Sequence, residues 1–309
     1  MSNSQKESNI RKVALTSLSG TSIEWYDFFL YGAAAGLVFP KLFFGEVDPT
    51  TALVLSFMTF AAGFIARPIG GIIFGHFGDL IGRKKTLVIA LMLMGISSTL
   101  IGLLPTYDTI GIVAPILLTT LRFCQGIAIG GQWGGAMLLV TESAPSDRRG
   151  YYGAYAQAGA PVGVILANIA FISVSILTSE ENFLSWGWRI PFLISFVLVI
   201  ISMYIQLNLE DTKAFKDLEA MKSSDDNSPK AIKSSPILEA LRRYPKRISL
   251  AAGAFLSVQV TFYILVAFIL AYGVQTTDLS RNDLLMAVLI GSAITVSYTH
   301  LTLPTNIGV

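Results

Sequence analysis

The sequence predicts an all-α polytopic membrane protein, and three observations carry that prediction. Hydrophobic residues make up 53% of the 309 and charged residues 14%, with a mean hydropathy of +0.62. Mostly apolar runs of eighteen or more residues, the length that crosses a hydrocarbon core, recur too often for a soluble protein. The charges are also sorted between alternate loops. Of 22 Lys and Arg, 17 fall in the N-terminus, at residues 83–85, at Arg148 and Arg149, and in the 209–247 stretch; Lys41, Arg189 and Arg281 fall in the other loops, and Arg67 and Arg122 inside spans. Basic loops mark the cytoplasmic side, so the N-terminus is expected there. With the basic residues committed to topology, nothing points to nucleic acid.

In chain order, spans are expected near 18–40, 50–76, 86–104, 110–141, 152–178, 190–208 and 247–271, with a partial one from Leu284. The polar start, residues 1–17, precedes a first span that carries Glu24 and Asp27 and no small-residue cleavage site, so it reads as a retained helix rather than a removable leader. Between spans two and three lies G-H-F-G-D-L-I-G-R-K-K, residues 75–85, read as a basic turn of about a dozen residues. Its Gly75, Gly78 and Gly82 permit a tight reversal, and Asp79 and Arg83 stand four apart, the spacing at which opposite charges meet on one helical face. Residues 209–246 are too polar to build a core and read as a linker, with an amphipathic stretch at A-F-K-D-L-E-A-M-K. The eighth span supplies about thirteen apolar residues, roughly 20 Å of helix, before Y-T-H-L-T-L-P-T interrupts it. V-S-Y-T-H-L-T-L-P-T resembles the translated end of a common sequencing adapter. Residues 296–309 are therefore expected to be foreign, with the gene cut inside helix eight, and His300 receives no role.

Ionisable groups inside a membrane are costly and mark function by default. Glu24 and Asp27 are three apart, and Tyr31 returns to the same face. A carboxylate at the depth of Asp27 must pair with a cation or hold a proton; handling a proton and standing in a static ion pair both remain open. Glu24 is shallower. Arg122 offers a permanently charged planar fork that matches a carboxylate. Gln125, Gln132 and Trp133 follow on its helical face, as ligand contacts or as interhelical hydrogen bonds, and Gly126, Gly130 and Gly134 form a seam for close helix packing. Arg67, before Pro68, is expected to pair with Asp27 or Glu24, with neutralising a substrate as the alternative. Gln157, Pro161 and Asn168 share a face of the fifth span, with Gly159 and Gly163 alongside. W-G-W-R at 186–189 reads as an interfacial aromatic anchor, and Cys124 as a packing residue. No phosphate loop, nucleophile motif or metal-ligand spacing occurs, so neither catalysis nor a cofactor or metal is expected.

These residues resemble a family. The 75–85 hinge is similar to the signature loop of the major facilitator superfamily, and the chain more narrowly resembles its metabolite:proton symporter family of shikimate, dicarboxylate, citrate and proline/betaine carriers. The segments that carry the resemblance are G-T-S-I-E-W-Y-D-F-F-L-Y (20–31), F-I-A-R-P-I-G-G (64–71), the hinge, and R-F-C-Q-G-I-A-I-G-G-Q-W-G-G-A (122–136). E-S-A-P-S-D-R-R-G (142–150), S-W-G-W-R-I-P-F (185–192) and E-D-T-K-A-F (210–215) complete them. The resemblance implies twelve helices in two halves, of which this chain holds the first six and about one and a half of the second. It implies a central site between the halves, alternating access and proton-driven uptake across the inner membrane. Gating then falls to Gly75, Asp79, Gly82 and Arg83, with Arg149 grouped beside them, and proton coupling to Asp27 or Glu24. One departure is Gln132, where the family commonly has Glu; Gln keeps the size and hydrogen bonding but cannot titrate.

The resulting expectation is a monomeric secondary transporter that carries protons with a small polar metabolite, an organic carboxylate rather than a sugar or drug. Substrate contact is assigned to Arg122, Gln125, Gln132, Trp133, Tyr31, Gln157 and Asn168. The rivals are a proton-coupled exporter of amphipathic compounds and a metabolite sensor that signals through the linker.

Overall fold

The computed structural model describes residues 3–81, 83–145, 148–207 and 242–301. Among them every regular element is helical. In chain order these are α1 (Asn3–Leu37), α2 (Phe39–Phe43), α3 (Pro49–Ile81), α4 (Arg83–Leu103), α5 (Tyr107–Ile110), α6 (Val113–Ser143), α7 (Arg149–Leu177) and α8 (Glu180–Asn182). Then come α9 (Arg189–Leu207), α10 (Pro245–Tyr263), α11 (Ile269–Thr276) and α12 (Arg281–Leu301). Two π-helical segments, Phe183–Gly187 and Ile264–Phe268, join α8 to α9 and α10 to α11. The expected linker and its amphipathic stretch lie in 208–241, outside the described residues.

Four helical stretches are long and apolar enough to cross a membrane among the described residues: Pro49–Phe77, Val113–Gly131, Arg149–Leu177 and Pro245–Thr276. The pair Glu180–Gly187 and Arg189–Tyr204, bent by 45°, counts as a fifth. α1 has the length but carries Glu24 and Asp27, and the apolar stretch of α4, Val88–Leu103, is short.

Two boundaries differ from expectation, each for a local reason. α1 is helical from Asn3 rather than from about residue 18. At 35 residues it is about 50 Å long, well beyond a hydrocarbon core of about 30 Å. Its overhang is used: Ile10 and Ala14 are buried against Val140, Ala144 and Tyr152 of α6, its following residue and α7. The hinge is not a twelve-residue turn, because α3 continues through Gly75 and Gly78 to Ile81 and α4 starts at Arg83. Gly82, between the two helices, lies outside the described residues. The eighth span lies in α12, 21 residues from Arg281 to Leu301. Its start is set by a reciprocal cap: the Ser280 amide donates to the Asp283 carboxylate at 2.9 Å, and the Asp283 amide donates to the Ser280 hydroxyl at 3.2 Å. The Ser280 hydroxyl, which also donates to the Asp283 carboxylate, and then the Ser280 amide hold that carboxyl below the usual carboxylate range.

Small residues decide how close the helices come. A Cβ on Gly126 would lie 2.1 Å from the carbonyl oxygen of Gly63, and one on Gly130 equally close to that of Arg67, so α3 and α6 touch backbone to backbone. Gly159 and Gly163 do the same for α7 against Thr21 and Trp25 of α1. The two seams bring α1, α3, α6 and α7 around one centre.

The seventh and eighth spans join this bundle at one end. Gly32 and Gly36 of α1 meet Ala267 and Ala271, Phe57 meets Phe268, and Arg281 pairs with Glu180. At the other end, which carries the basic loops, Gly253 and Gly291 face open space and the first half of α10 is exposed. The described chain is closed at the end where α1 terminates and splayed at the basic end.

Candidate functional site

Where the seams converge, five helices place charged and polar side chains in the middle of the bundle. Arg122 of α6, nine residues into its helix, is completely buried. Its guanidinium lies over three rings, those of Phe28 at 4.5 Å, Tyr31 at 4.3 Å and Phe60 at 4.6 Å. Cation–π contacts in a desolvated setting contribute about 2 kcal/mol or more, which offsets much of the cost of a buried charge. Arg122 Nη1 donates to Gln125 Oε1 at 3.1 Å, while Nε and Nη2 have no protein partner among the described residues. A fork with two unengaged donors, held rigidly by aromatic faces, is suited to a planar anion.

Asp27 and Glu24 are buried on α1. The hydroxyl of Ser195, from α9, donates to Asp27 Oδ1, and the hydroxyl of Ser98, from α4, faces the same carboxylate. Ser98 also accepts from Gln125 Nε2 at 2.6 Å. Asp27 and Arg122 form no ion pair among the described residues; Gln125 and Ser98 stand between them. Tyr31 places its ring under Arg122 and shares a hydrogen bond of 2.7 Å with Thr59 of α3. Tyr26 ties α1 to α9 by donating to the carbonyl of Pro191 at 2.7 Å.

Several sequence expectations need correction. Arg67 makes no ion pair with Asp27 or Glu24 among the described residues. Its guanidinium lies instead over Phe28 at 4.4 Å, Phe64 at 4.7 Å and Trp25 at 5.8 Å, because the rings of α1 and α3 reach it before a carboxylate does. Gln157 is exposed, whereas Asn168 on the same face of α7 is buried, since no neighbour covers that face at the depth of Gln157. Trp188 is no interfacial anchor: it is wholly buried among Phe39, Phe43 and Phe192. Trp186 is the exposed member of the pair, and Arg189 closes the end of α4 by donating to the carbonyls of Gly102 and Leu104. Gly75 and Arg149 are exposed at the basic end. Gln132 and Trp133 lie in α6, Asp79 in the last turn of α3 and Arg83 at the first position of α4; their side chains lie outside what is described.

Sequence reasoning passed over Ser98, Ser195, Thr59 and the aromatic wall. A lone hydroxyl in an apolar helix carries no spacing signal, and the rings read as ordinary core. Tyr263, from α10, was missed as well. Its ring packs on Phe64 at 5.0 Å and Phe28 at 5.7 Å, and its buried hydroxyl faces Arg67 and Arg122.

Comparison with known proteins agrees with this arrangement. The sequence profile described as "Sugar (and other) transporter" matches residues 12–238. The chain belongs to that family of the major facilitator superfamily. The chain is 44% identical over 292 residues to the inner membrane metabolite transport protein YhjE of Escherichia coli (strain K12), covering 92% of this chain and 64% of that protein. It is 44% identical over 282 residues to the shikimate transporter of the same organism, covering 89% and 61%. Against the proline/betaine transporter of that strain it is 35% identical over 289 residues, covering 92% and 58%. The chain thus spans less than two thirds of the length of these relatives. Among solved structures, the D-xylose–proton symporter superposes with a TM-score of 0.70 at 17% identity, covering 94% of this chain and 67% of that one, a likeness of fold. A partially occluded, inward-open xylose transporter from E. coli superposes at 0.68 with 17% identity, covering 94% and 71%. The chain is a multi-pass membrane protein of that family.

Proposed function

We propose that the protein imports a small organic carboxylate together with protons, by alternating access, with its basic end in the cytoplasm of the inner membrane. The observation that carries this is Arg122, wholly buried, walled by three rings and left with two donors that no protein group takes. A carboxylate satisfies that fork in two parallel hydrogen bonds, whereas an uncharged sugar leaves the guanidinium's charge uncompensated. Asp27 is the proton carrier in this reading. It is buried, its Oδ2 has no partner among the described residues, and it shares the centre with Arg122 without pairing to it. The relatives named for shikimate and for proline/betaine support a carboxyl-bearing substrate, since each of those compounds has a carboxylate.

Asp79 and Arg83, at the junction of α3 and α4, are assigned to holding the basic end closed in the opposite state, with Arg149 near them. A monomer suffices, because the centre is built from one chain.

The test is uptake by the protein expressed from its complete gene, offered shikimate, succinate and glycine betaine at two external pH values. Accumulation of at least one, faster at the lower pH and abolished by Arg122→Ala with membrane insertion intact, is the expected result. Undiminished uptake by Arg122→Ala refutes the assigned role.

A further inference from the structure

We propose that Ser98 and Gln125 transmit substrate occupancy to the proton site, as positioning residues between Arg122 and Asp27; this rests on the reading of those two charges given above. The geometry is a directional chain across three helices. Arg122 Nη1 donates to Gln125 Oε1 at 3.1 Å, Gln125 Nε2 donates to Ser98 Oγ at 2.6 Å, and Ser98 faces the Asp27 carboxylate. Arg122 fixes the sense of the chain. A guanidinium has no acceptor, so the amide of Gln125 must turn its oxygen to Arg122 and its N–H to Ser98. Ser98 then accepts at its oxygen, and its own hydrogen is free to donate onward to Asp27. Gln125, with both ends of its amide engaged, is a bridge rather than a substrate contact.

The consequence is a coupling between two ligands. With Arg122 turned toward Gln125, two hydroxyls face the Asp27 carboxylate, that of Ser195, which donates to it, and that of Ser98. A substrate carboxylate that draws the guanidinium toward itself releases Gln125. The amide can then reorient, Ser98 loses its fixed direction, and Asp27 is left with one donor fewer. The proton follows the substrate on, and by linkage the substrate follows the proton. The charged and titratable groups around Asp27 are Arg122 from α6 and Tyr26 from its own helix; α4 and α9 face it with the two hydroxyls. Arg67 of α3 acts on Glu24.

Proteoliposomes holding the complete protein separate the possibilities. An internal pH dye follows substrate-induced proton entry, and counterflow exchange at equal pH follows substrate movement alone. The probe is whichever of shikimate, succinate and glycine betaine the unaltered protein accumulates. Asp27→Asn is expected to keep counterflow and lose proton entry. Ser98→Ala is expected to keep counterflow while protons moved per substrate fall roughly fivefold, the scale of one buried hydrogen bond. Ser98→Thr, which keeps the hydroxyl, restores the ratio. Protons and substrate moving in the unaltered ratio through Ser98→Ala overturn the inference and leave the reading of Asp27 standing, as does loss of counterflow in that variant, which marks Ser98 as structural. Proton entry that persists in Asp27→Asn, or failure to accumulate any probe, overturns the reading itself.

Discussion

At the scale of single residues, the burial of Arg122 is paid for by the faces of Phe28, Tyr31 and Phe60 rather than by an opposite charge. That makes the site specific for arginine, because a lysine ammonium presents no planar fork and is more strongly hydrated. Arg122→Lys should therefore lose most uptake, by more than about thirtyfold, since truncating one side of a buried charged contact costs about 2 kcal/mol or more. Initial rates of radiolabelled substrate entry, normalised to protein in the membrane, measure this. Asp27→Asn should flatten the rise of uptake with falling external pH while exchange continues, and the pH profile of accumulation checks it. Arg122, Asp27, Glu24 and Tyr31 were legible in the sequence because ionisable and polar residues stand out in apolar spans. Ser98 and Ser195 were not, because a hydroxyl in a helix is satisfied by its own backbone as readily as by a distant carboxylate. Nor was the partner of Arg67: spacing along two helices says how deep a side chain sits, but not which ring intervenes.

At the scale of elements, the seam between α3 and α6 sets the position of Arg122, since the same helix face that carries Gly126 and Gly130 into contact aims the guanidinium over α1. Its four-residue glycine spacing was readable directly. Gly126→Val should block the seam, because its Cβ would fall 2.1 Å from the backbone oxygen of Gly63. Overpacking of this kind costs about 1–3 kcal/mol, more where backbone cannot yield, so the variant's yield of detergent-stable protein should drop and its melting temperature fall by several degrees. A thermal shift assay on purified protein decides it. Element ends were less legible. The N-terminal residues of α1 are polar, and their helix is held by tertiary burial of Ile10 and Ala14, a contact no local pattern announces. The glycines of the hinge suggested a loop, yet helix continues through two of them because neither Gly75 nor Gly78 needs a conformation outside the helical region.

At the scale of the whole molecule, the closed end is held by small residues and one ion pair. Gly32 and Gly36 against Ala267 and Ala271 let α1 and the seventh span meet closely, and Glu180 pairs with Arg281, whose guanidinium also lies 4.5 Å from the ring centre of Phe183. Glu180 is largely exposed, so the pair contributes about 0.2–1 kcal/mol. Arg281→Glu should accordingly shift the balance toward the state open at that end by no more than about fivefold, and Glu180→Arg in the same chain should reverse the shift. Labelling rates of a cysteine in place of Ser56, buried near that end, report it from that side. Composition and span order foretold a helical membrane bundle, but not which end would be closed, because each span is compatible with both states.

The most direct test concerns water at the centre. With Cys124→Ser as background, single cysteines at positions 27 and 122 are challenged with a water-soluble thiol reagent from each side of sealed vesicles. Alternating access predicts reaction from both sides, with rates that shift in opposite directions when the population of states is biased. Permanent protection of both positions from both sides would contradict it.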